Sequence, residues 1–474
     1  MTNPYRALPS VDALLADDRV AALTSAHGRN TVAHLAREVL DDQREEIERS
    51  GNEATEETVD LLLARSQALE PSLVRVINAT GVIIHTNLGR APLSRSALDA
   101  IQRISQSYAT LEFDVTEGTR GSRHVHLESL LQNVTGAEAA LVVNNGASAL
   151  LLALAALCGD GEVPISRGQL VEIGGGFRIP DVMRQSGAGL VEVGTTNRTY
   201  IADYEAAITD ETVGLLRVHL SNFAQVGFTH SASIEELGAL ANDRGLTLID
   251  DVGSGALLDT TQYGLGGEPQ VQESVAAGAD VVLFSGDKLV GGPQAGILIG
   301  KRDAIEAMRR HPLARAVRID KGSIAALTAT LKHYAIGDAV KEIPVWRMIA
   351  EPLDQLSRRA RRWVRTCANT AEAVDSRSTV GGGTLPGEEL PTVVCAVTPL
   401  DGDAHSLAAE LRARPTPIIA RISEGRVLLD PRTVDPREDG HVEQALAAIC
   451  DAARQPPRPL SGNLSGNGSQ FSGR

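Results

Sequence analysis

From Leu73 onward the chain alternates between short apolar runs and helical stretches, and this alternation constrains the fold more than any other feature. Runs at Val74–Ile77, Ala140–Val143, Gly189–Val193, Gly214–His219, Leu246–Ile249, Val281–Phe284 and Gly296–Ile299 are aliphatic and often β-branched. Most of them end in Asn, Asp, Gly or Ser, and helical patterns such as Ala147–Cys158, Asp203–Thr209 and Ser233–Arg244 fall between them. Strands that alternate with helices are joined by right-handed crossovers, which lays them parallel in a sheet covered on both faces. The polar residues ending the strands then collect along the carboxyl edge, where open α/β sheets bind ligands. The expected fold class is α/β with a mainly parallel sheet.

The 474 residues leave room for two or three domains. Before residue 70 the texture is different: Val11–Leu23, Thr31–Arg49 and Glu56–Leu69 carry apolar residues three and four apart, with charges between and hardly any Gly. These read as amphipathic helices. The expected organisation is a helical domain with linker at 1–70, the large α/β domain at 71–335, and a small α+β domain at 336–454. The last of these is read as a long basic helix, Pro352–Val374, with strands near Thr392–Val397 and Gly425–Leu429. Residues 455–474, rich in Pro, Gly, Ser and Asn, read as a disordered tail.

Composition excludes several classes. Aromatics are 3%, so the core is expected to be built from Ala, Val, Leu and Ile. A net charge of −15 argues against a protein that coats DNA or other nucleic acid non-specifically, although a local basic face remains compatible with it. Cys158, Cys367, Cys395 and Cys450 lie far apart with no CxxC pair, which supports neither a zinc ribbon nor a disulfide framework. Met1–Arg19 lacks a signal-peptide pattern, and the strongest apolar run, Ala149–Cys158, is about half of the ~20 residues a membrane span needs. The expectation is a cytoplasmic protein with no membrane contact. His124 and His126 form an HxH with no third ligand at metal spacing, so no metal is expected; His85 and His219 read as structural, with His219 placed to line a pocket.

Three segments carry chemistry. In ADVVLFSGDKLVGGPQAGILIGK (Ala279–Lys301) an apolar strand is followed by Ser285, Asp287 and Lys288 and a Gly-Gly-Pro loop. A lysine enclosed after a buried strand has its ammonium disfavoured and becomes a free amine able to attack an aldehyde. The bland reading is a solvated lysine in an ordinary turn. In LTLIDDVGSG (Leu246–Gly255) a strand delivers Asp250 and Asp251, of which only one faces a given side. A buried Asp there can keep a pyridine nitrogen protonated; an N-cap or a metal carboxylate pair is the alternative. In LVVNNGASAL (Leu141–Leu150) a strand meets a helix through Asn145, Gly146, Ala147 and Ser148, and a helix N-terminus opened by Gly is an anion site. Plain strand–turn–helix punctuation is the competing reading. A phosphate cup, a strand-end Asp and a strand-end Lys with Ser, in that order, form the layout of a fold-type I pyridoxal-phosphate enzyme.

Over nearly its whole length the sequence resembles the bacterial L-seryl-tRNA(Sec) selenium transferases, or selenocysteine synthases. The resemblance rests on Arg75–Leu93 (RVINATGVIIHTNLGRAPL), Ser166–Gln185, EVGTTNRT (Glu192–Thr199), DVGSG (Asp251–Gly255), FSGDKLVGGPQAGI (Phe284–Ile297) and HPLARAVRIDK (His311–Lys321). It implies an aminotransferase-like large domain and pyridoxal 5'-phosphate held by Lys288. Asp251, rather than Asp250, is the implied partner of the pyridine nitrogen. Ser285 and the Asn145–Ser148 loop are the phosphate ligands on the residues' own reading, the loop departing from a more Asn- and Ala-rich family version, and the resemblance places Asp287 in the catalytic site. Arg90, Arg315 and Arg318 are the implied donor-binding residues; surface salt bridging is the reading of Arg315 and Arg318 without the resemblance. The implied reaction makes selenocysteinyl-tRNA(Sec) from seryl-tRNA(Sec) and selenophosphate through an aminoacrylyl-tRNA intermediate, in a homo-oligomer of dimers assembled into a larger ring. The N-terminal helices, including His27–Leu40, resemble the part of the family that grips tRNA. The rival reading is a lyase acting on a free amino acid or amino-sugar acid.

Overall fold

The computed structural model describes residues 4–52, 57–367, 369–400 and 402–452. The chain divides into two compact units at Arg75/Val76. The tail expected at 455–474 lies outside the described residues.

The first unit is helical, with helices Val11–Leu15, Asp18–His27, Arg29–Ser50 and Thr58–Ser66. Asp17 caps the second by accepting the Arg19 N–H at 2.8 Å, which splits the single helix read over Val11–Leu23. Val32, Leu35, Ala36, Val39 and Leu40 repeat at helical spacing and are buried against Leu14, Val20 and Leu62. Each of these Val and Leu side chains contributes about 1.5–3 kcal/mol by leaving water, so this unit has a core of its own. The helix Arg29–Ser50 carries Arg29 and Arg37 together; Arg29 pairs with Asp12 at 3.0 Å, His34 with Glu38 at 3.4 Å, and Arg37 is exposed.

The second unit holds a seven-stranded sheet in the order Ala139–Val143, Gly296–Gly300, Val281–Ser285, Thr247–Gly253, Gly214–Val218, Glu162–Ser166, Gly189–Val193. Gly296–Gly300 alone runs antiparallel to its neighbours. Strand residues are buried on both faces under helices, as near-continuous aliphatic runs require. The strand Glu162–Ser166, whose GEVPIS sequence shows little apolar continuity, escaped the sequence reading.

The apolar run read at Val74–Ile77 does not join this sheet. Leu73 and Val74 are exposed, and the strand is Ile77–Ala79, which pairs in parallel with Ile418–Ser423 in a second, six-stranded sheet. Val82–Ile84 joins the same sheet beside Ala371–Gly381. The small sheet thus takes strands from both ends of the unit, a pairing across more than 290 residues that local pattern cannot show. The basic helix is also shorter than read: it spans Leu353–Thr366, and Ala371–Gly381 is strand, held over nine residues against Glu389–Val397. Cross-strand pairing overrides local helical preference there.

Helix Leu353–Thr366 packs on helix Asp439–Ala452 and brings Cys367 beside Cys450, with Cα atoms 5.8 Å apart, a proximity that the spacing of the cysteines does not show. Cys158 and Cys395 are buried free thiols, pushed up to about 12 by burial. Among the described residues no helix is long and apolar enough to cross a membrane, and no group of three His, Cys, Asp or Glu is placed to hold a metal.

Candidate active site

Strands Thr247–Gly253 and Val281–Ser285 lie side by side and bring their carboxyl ends together. On the first, Asp250 and Asp251 take opposite faces. Asp250 is fully buried, 3.4 Å from Arg217 on the neighbouring strand. Asp251 accepts the Gly253 N–H at 3.1 Å and interacts with Lys288. Burial pushes the Asp251 carboxyl up to about 7, against the pull of the lysine.

The turn after Ser285 is closed by its own backbone: Gly286 N–H donates to Ala295 at 2.9 Å, Gly292 to Gly286 at 2.8 Å and Leu289 to Ser254 at 3.1 Å. Lys288 at its centre is 6% exposed, which removes the reading of a solvated turn lysine. Burial lowers its pKa, with Asp251 the main opposing influence. A methyl on Gly383 would sit 2.8 Å from both Lys288 Cε and Nζ, so only a glycine lets this loop lie against the lysine.

Helix Gly146–Leu157 begins at the end of strand Ala139–Val143. Asn145 caps it by accepting the Ser148 N–H at 2.9 Å, and the Ser148 hydroxyl is engaged with Asn144 and Asn145. The first helical N–H groups, of Gly146 and Ala147, are those a helix leaves without intrahelical acceptors. A Cβ on Gly146 would lie 2.8 Å from Ser285 Oγ, so the helix start and the serine before Lys288 share one small cradle. Two donors from a helix N-terminus and a hydroxyl suit a phosphate.

Arg90, in the left-handed region with φ 63°, donates from Nη1 to Asp287 Oδ2 at 2.8 Å, while Asp287 Oδ1 is buried without a partner. Arg90 and Asp287 are thereby fixed next to Lys288. Helix Leu313–Ala316 ends before Arg318, so the spacing of Arg315 and Arg318 does not put them on one helical face. The backbone there is tied to the cradle strand: Asn144 N–H donates to Val317 at 2.9 Å, and Arg318 bridges Val143. The Arg318 guanidinium lies 3.5 Å from Glu112, a carboxylate that also meets Arg120 and Arg123, and Arg315 is exposed. The salt-bridging reading therefore holds for Arg318 in this arrangement, with its backbone beside the cradle.

Two groups near the lysine carried no decisive sequence signal. His219 is held down to about 4 by burial, then by Arg217 and Lys288, so its ring is neutral near pH 7. Glu268 is 5% exposed, 3.8 Å from His219, and burial raises its pKa. It follows a Gly-rich stretch, GLGGE, that resembles any surface loop.

The family model described as L-seryl-tRNA selenium transferase matches residues 76–435, and that for the selenocysteine synthase N terminus matches 5–44. The L-seryl-tRNA(Sec) selenium transferase of Nitratidesulfovibrio vulgaris is 47% identical over 94% of this chain and 99% of its own length. That of Hyphomonas neptunium is 46% identical over 96% of this chain and 99% of its own. Among solved structures, D-glucosaminate-6-phosphate ammonia-lyase aligns over 82% of this chain and 99% of its own with a TM-score of 0.58 at 24% identity, a likeness of fold. The fold is that of the fold-type I pyridoxal-phosphate enzymes, and the chain belongs to the L-seryl-tRNA selenium transferase family.

Proposed function

We propose that this chain is a transferase that converts L-seryl-tRNA(Sec) to L-selenocysteinyl-tRNA(Sec), with selenophosphate as donor and pyridoxal 5'-phosphate as cofactor. The observation that carries the reading is the enclosed Lys288 beside Asp251 and an anion cradle, in a chain 47% identical over 94% of its length to transferases of that name. The residues fit the cofactor: Gly146, Ala147 and Ser285 offer donors for its phosphate, Lys288 supplies an enclosed amine, and Asp251 a buried carboxylate.

When bound, pyridoxal phosphate supplies an electron sink for charge developing at the α-carbon of the seryl group. Gly146, Ala147 and Ser285 hold the phosphate, and Asp251 keeps the proton on the pyridine nitrogen. Lys288 Nζ, whose charged form burial disfavours, takes the α-proton. Loss of the β-hydroxyl then leaves the carbon to which selenium adds. Arg90, held near the lysine by Asp287, receives the donor, because planar guanidinium groups suit a small polyanion. Arg315 and Arg318 join it, which requires Arg318 to exchange Glu112 for the donor.

The N-terminal helical unit grips the tRNA, and Arg37, exposed on the helix Arg29–Ser50, is its foremost phosphate contact. Seryl-tRNA carries its carboxyl as an ester, so the site needs no carboxylate clamp. The protein works in the cytoplasm as a homo-oligomer of dimers arranged in a larger ring; the exposed apolar side chains of Tyr108 and Val226 favour association.

The test supplies purified protein with pyridoxal phosphate, seryl-tRNA(Sec) and selenophosphate. Selenocysteinyl-tRNA should form. Ammonia release from free amino acids or amino-sugar acids, with seryl-tRNA unchanged, would establish the lyase instead.

A further inference from the structure

The wall facing Lys288 is built by a loop of the small sheet, and two glutamates, Glu268 and the loop's own Glu388, tie it to the Gly266–Glu268 segment. The loop follows strand Ala371–Gly381 and turns through left-handed residues at Gly381, Gly383, Leu385 and Gly387. Leu385, at φ 43°, is the one non-glycine among these four. A side-chain-bearing residue in that region costs about 1–3 kcal/mol and persists only where its surroundings over-determine it.

The surroundings here are explicit. The Leu385 N–H donates to Glu268 Oε2 at 3.3 Å, and the Leu385 side chain is buried in an apolar cluster with Leu265 and Trp346. In return Glu388, on the loop, accepts the Gly266 N–H at 3.1 Å. Thr260 braces the far side, accepting the Glu268 N–H at 3.0 Å and donating to the Gly266 carbonyl at 2.6 Å. Gly383 lies two residues before the first strut, with no space for even a methyl between it and Lys288.

We propose that Glu268 is a positioning residue for Lys288: by holding the Leu385 N–H it presses Gly383 onto the lysine side chain and sets where the amine sits. This rests on the reading of Lys288 as the residue that holds the cofactor. Two further observations support it. Glu268 is almost fully buried, where its carboxyl faces Ser254 and the lysine, and burying a carboxyl is costly to keep for packing alone. The same carboxyl faces His219 at 3.8 Å, whose backbone N–H donates to Asp251 at 2.8 Å. The clasp therefore touches Lys288 through Gly383 and the strand of Asp251 through His219. The charged and titratable groups around it are Lys288, His219, Asp251, Asp287 and Arg90, with Glu388 on the loop.

The experiment uses the full-length protein loaded with pyridoxal phosphate and reads the pH midpoint of the visible band of the Lys288-bound cofactor, with kcat and KM for seryl-tRNA(Sec). Glu268→Ala should move the midpoint by about one unit, the size expected when a lysine loses its fixed surroundings, and lower kcat about tenfold while KM stays put. Glu268→Gln, whose amide oxygen can still accept the Leu385 N–H, should recover most of both effects. Glu388→Ala, which cuts the second strut, should shift the midpoint in the same direction by less. If Glu268→Ala does not fold, the Gln and Glu388 variants decide. A wild-type midpoint and kcat in Glu268→Ala, or in Glu388→Ala should the former not fold, would overturn the proposal. So would equal damage in Ala and Gln, which would assign the effect to charge alone. A wild-type protein whose band does not depend on Lys288 would instead overturn the reading of the lysine, a distinguishable failure.

Discussion

Gly146→Ala separates the stability of the fold from the binding of the cofactor. An ideal Cβ at this position lies 2.8 Å from Ser285 Oγ, closer than carbon and oxygen tolerate, so the hydroxyl must move. For the fold the change costs at most about 2 kcal/mol once the helical preference of alanine is counted. An extra methyl in a filled site costs about 1–3 kcal/mol. Alanine, however, is better than glycine in a helix by up to about 1 kcal/mol, which offsets part of that. For the cofactor nothing offsets it, because the methyl occupies the cradle and turns away a hydroxyl that donates to a charged phosphate. A hydrogen bond to a charged group is worth about 1.5–3 kcal/mol, and at about 1.4 kcal/mol per factor of ten this weakens binding by roughly 10- to 100-fold. The assay is absorbance titration of the cofactor-free protein with pyridoxal phosphate, beside thermal melting of the same sample. Ser285→Ala should weaken binding similarly, and the double variant by less than the product of the two, since the clash disappears with the hydroxyl. Wild-type affinity in Gly146→Ala would show that the phosphate is bound elsewhere.

Other outcomes follow from the charges. Burial raises Asp251 to about 7, so in the cofactor-free protein it costs stability as pH climbs from 3.8 through 7; Asp251→Asn should melt higher than wild type at pH 8 and equally near pH 4. The gain is at most about 4 kcal/mol, less the attraction to Lys288 that the change removes, while the variant should lose transferase activity. His219, held near 4 by burial, is neutral when folded, so its stability contribution is present above 6.5 and lost as pH falls toward 4. His219→Gln should flatten that acid limb of a pH–stability curve by up to about 3 kcal/mol. Arg90→Ala should slow the selenium-addition step by about tenfold or more in single-turnover measurements, the order expected for a lost charged contact, while loss of the seryl hydroxyl continues. A slowed first step with a normal second would move Arg90 to seryl-tRNA binding.

The parts of the site legible in the sequence share one property: each follows a buried strand within a few residues. Lys288, Ser285 and the Asp250–Asp251 pair stand where an apolar run stops, and Asn145–Ser148 where a strand turns into a helix, so local pattern and sheet topology bring them to one edge. Choosing Asp251 over Asp250 needed the family resemblance, because alternation says only that the two face opposite ways; Arg217 accounts for Asp250. What stayed hidden depends on contacts between distant segments. Glu268 and Leu385 are 117 residues apart, and Cys367 and Cys450 are 83 apart. Arg318 meets Glu112 through folding of the loop after Ala316, which no spacing rule anticipates. The strand Ala371–Gly381 was misread in its first turn as helix because its identity comes from its partner, Glu389–Val397.

The central claim, that Lys288 carries the cofactor and the chemistry, is tested most directly by borohydride reduction of the loaded protein followed by peptide mass spectrometry. The mass of reduced pyridoxal phosphate should appear on the peptide containing Lys288, and the visible band and transferase activity should both vanish in Lys288→Ala. A reduced adduct on another lysine, or a reducible band that persists in Lys288→Ala, would contradict the account.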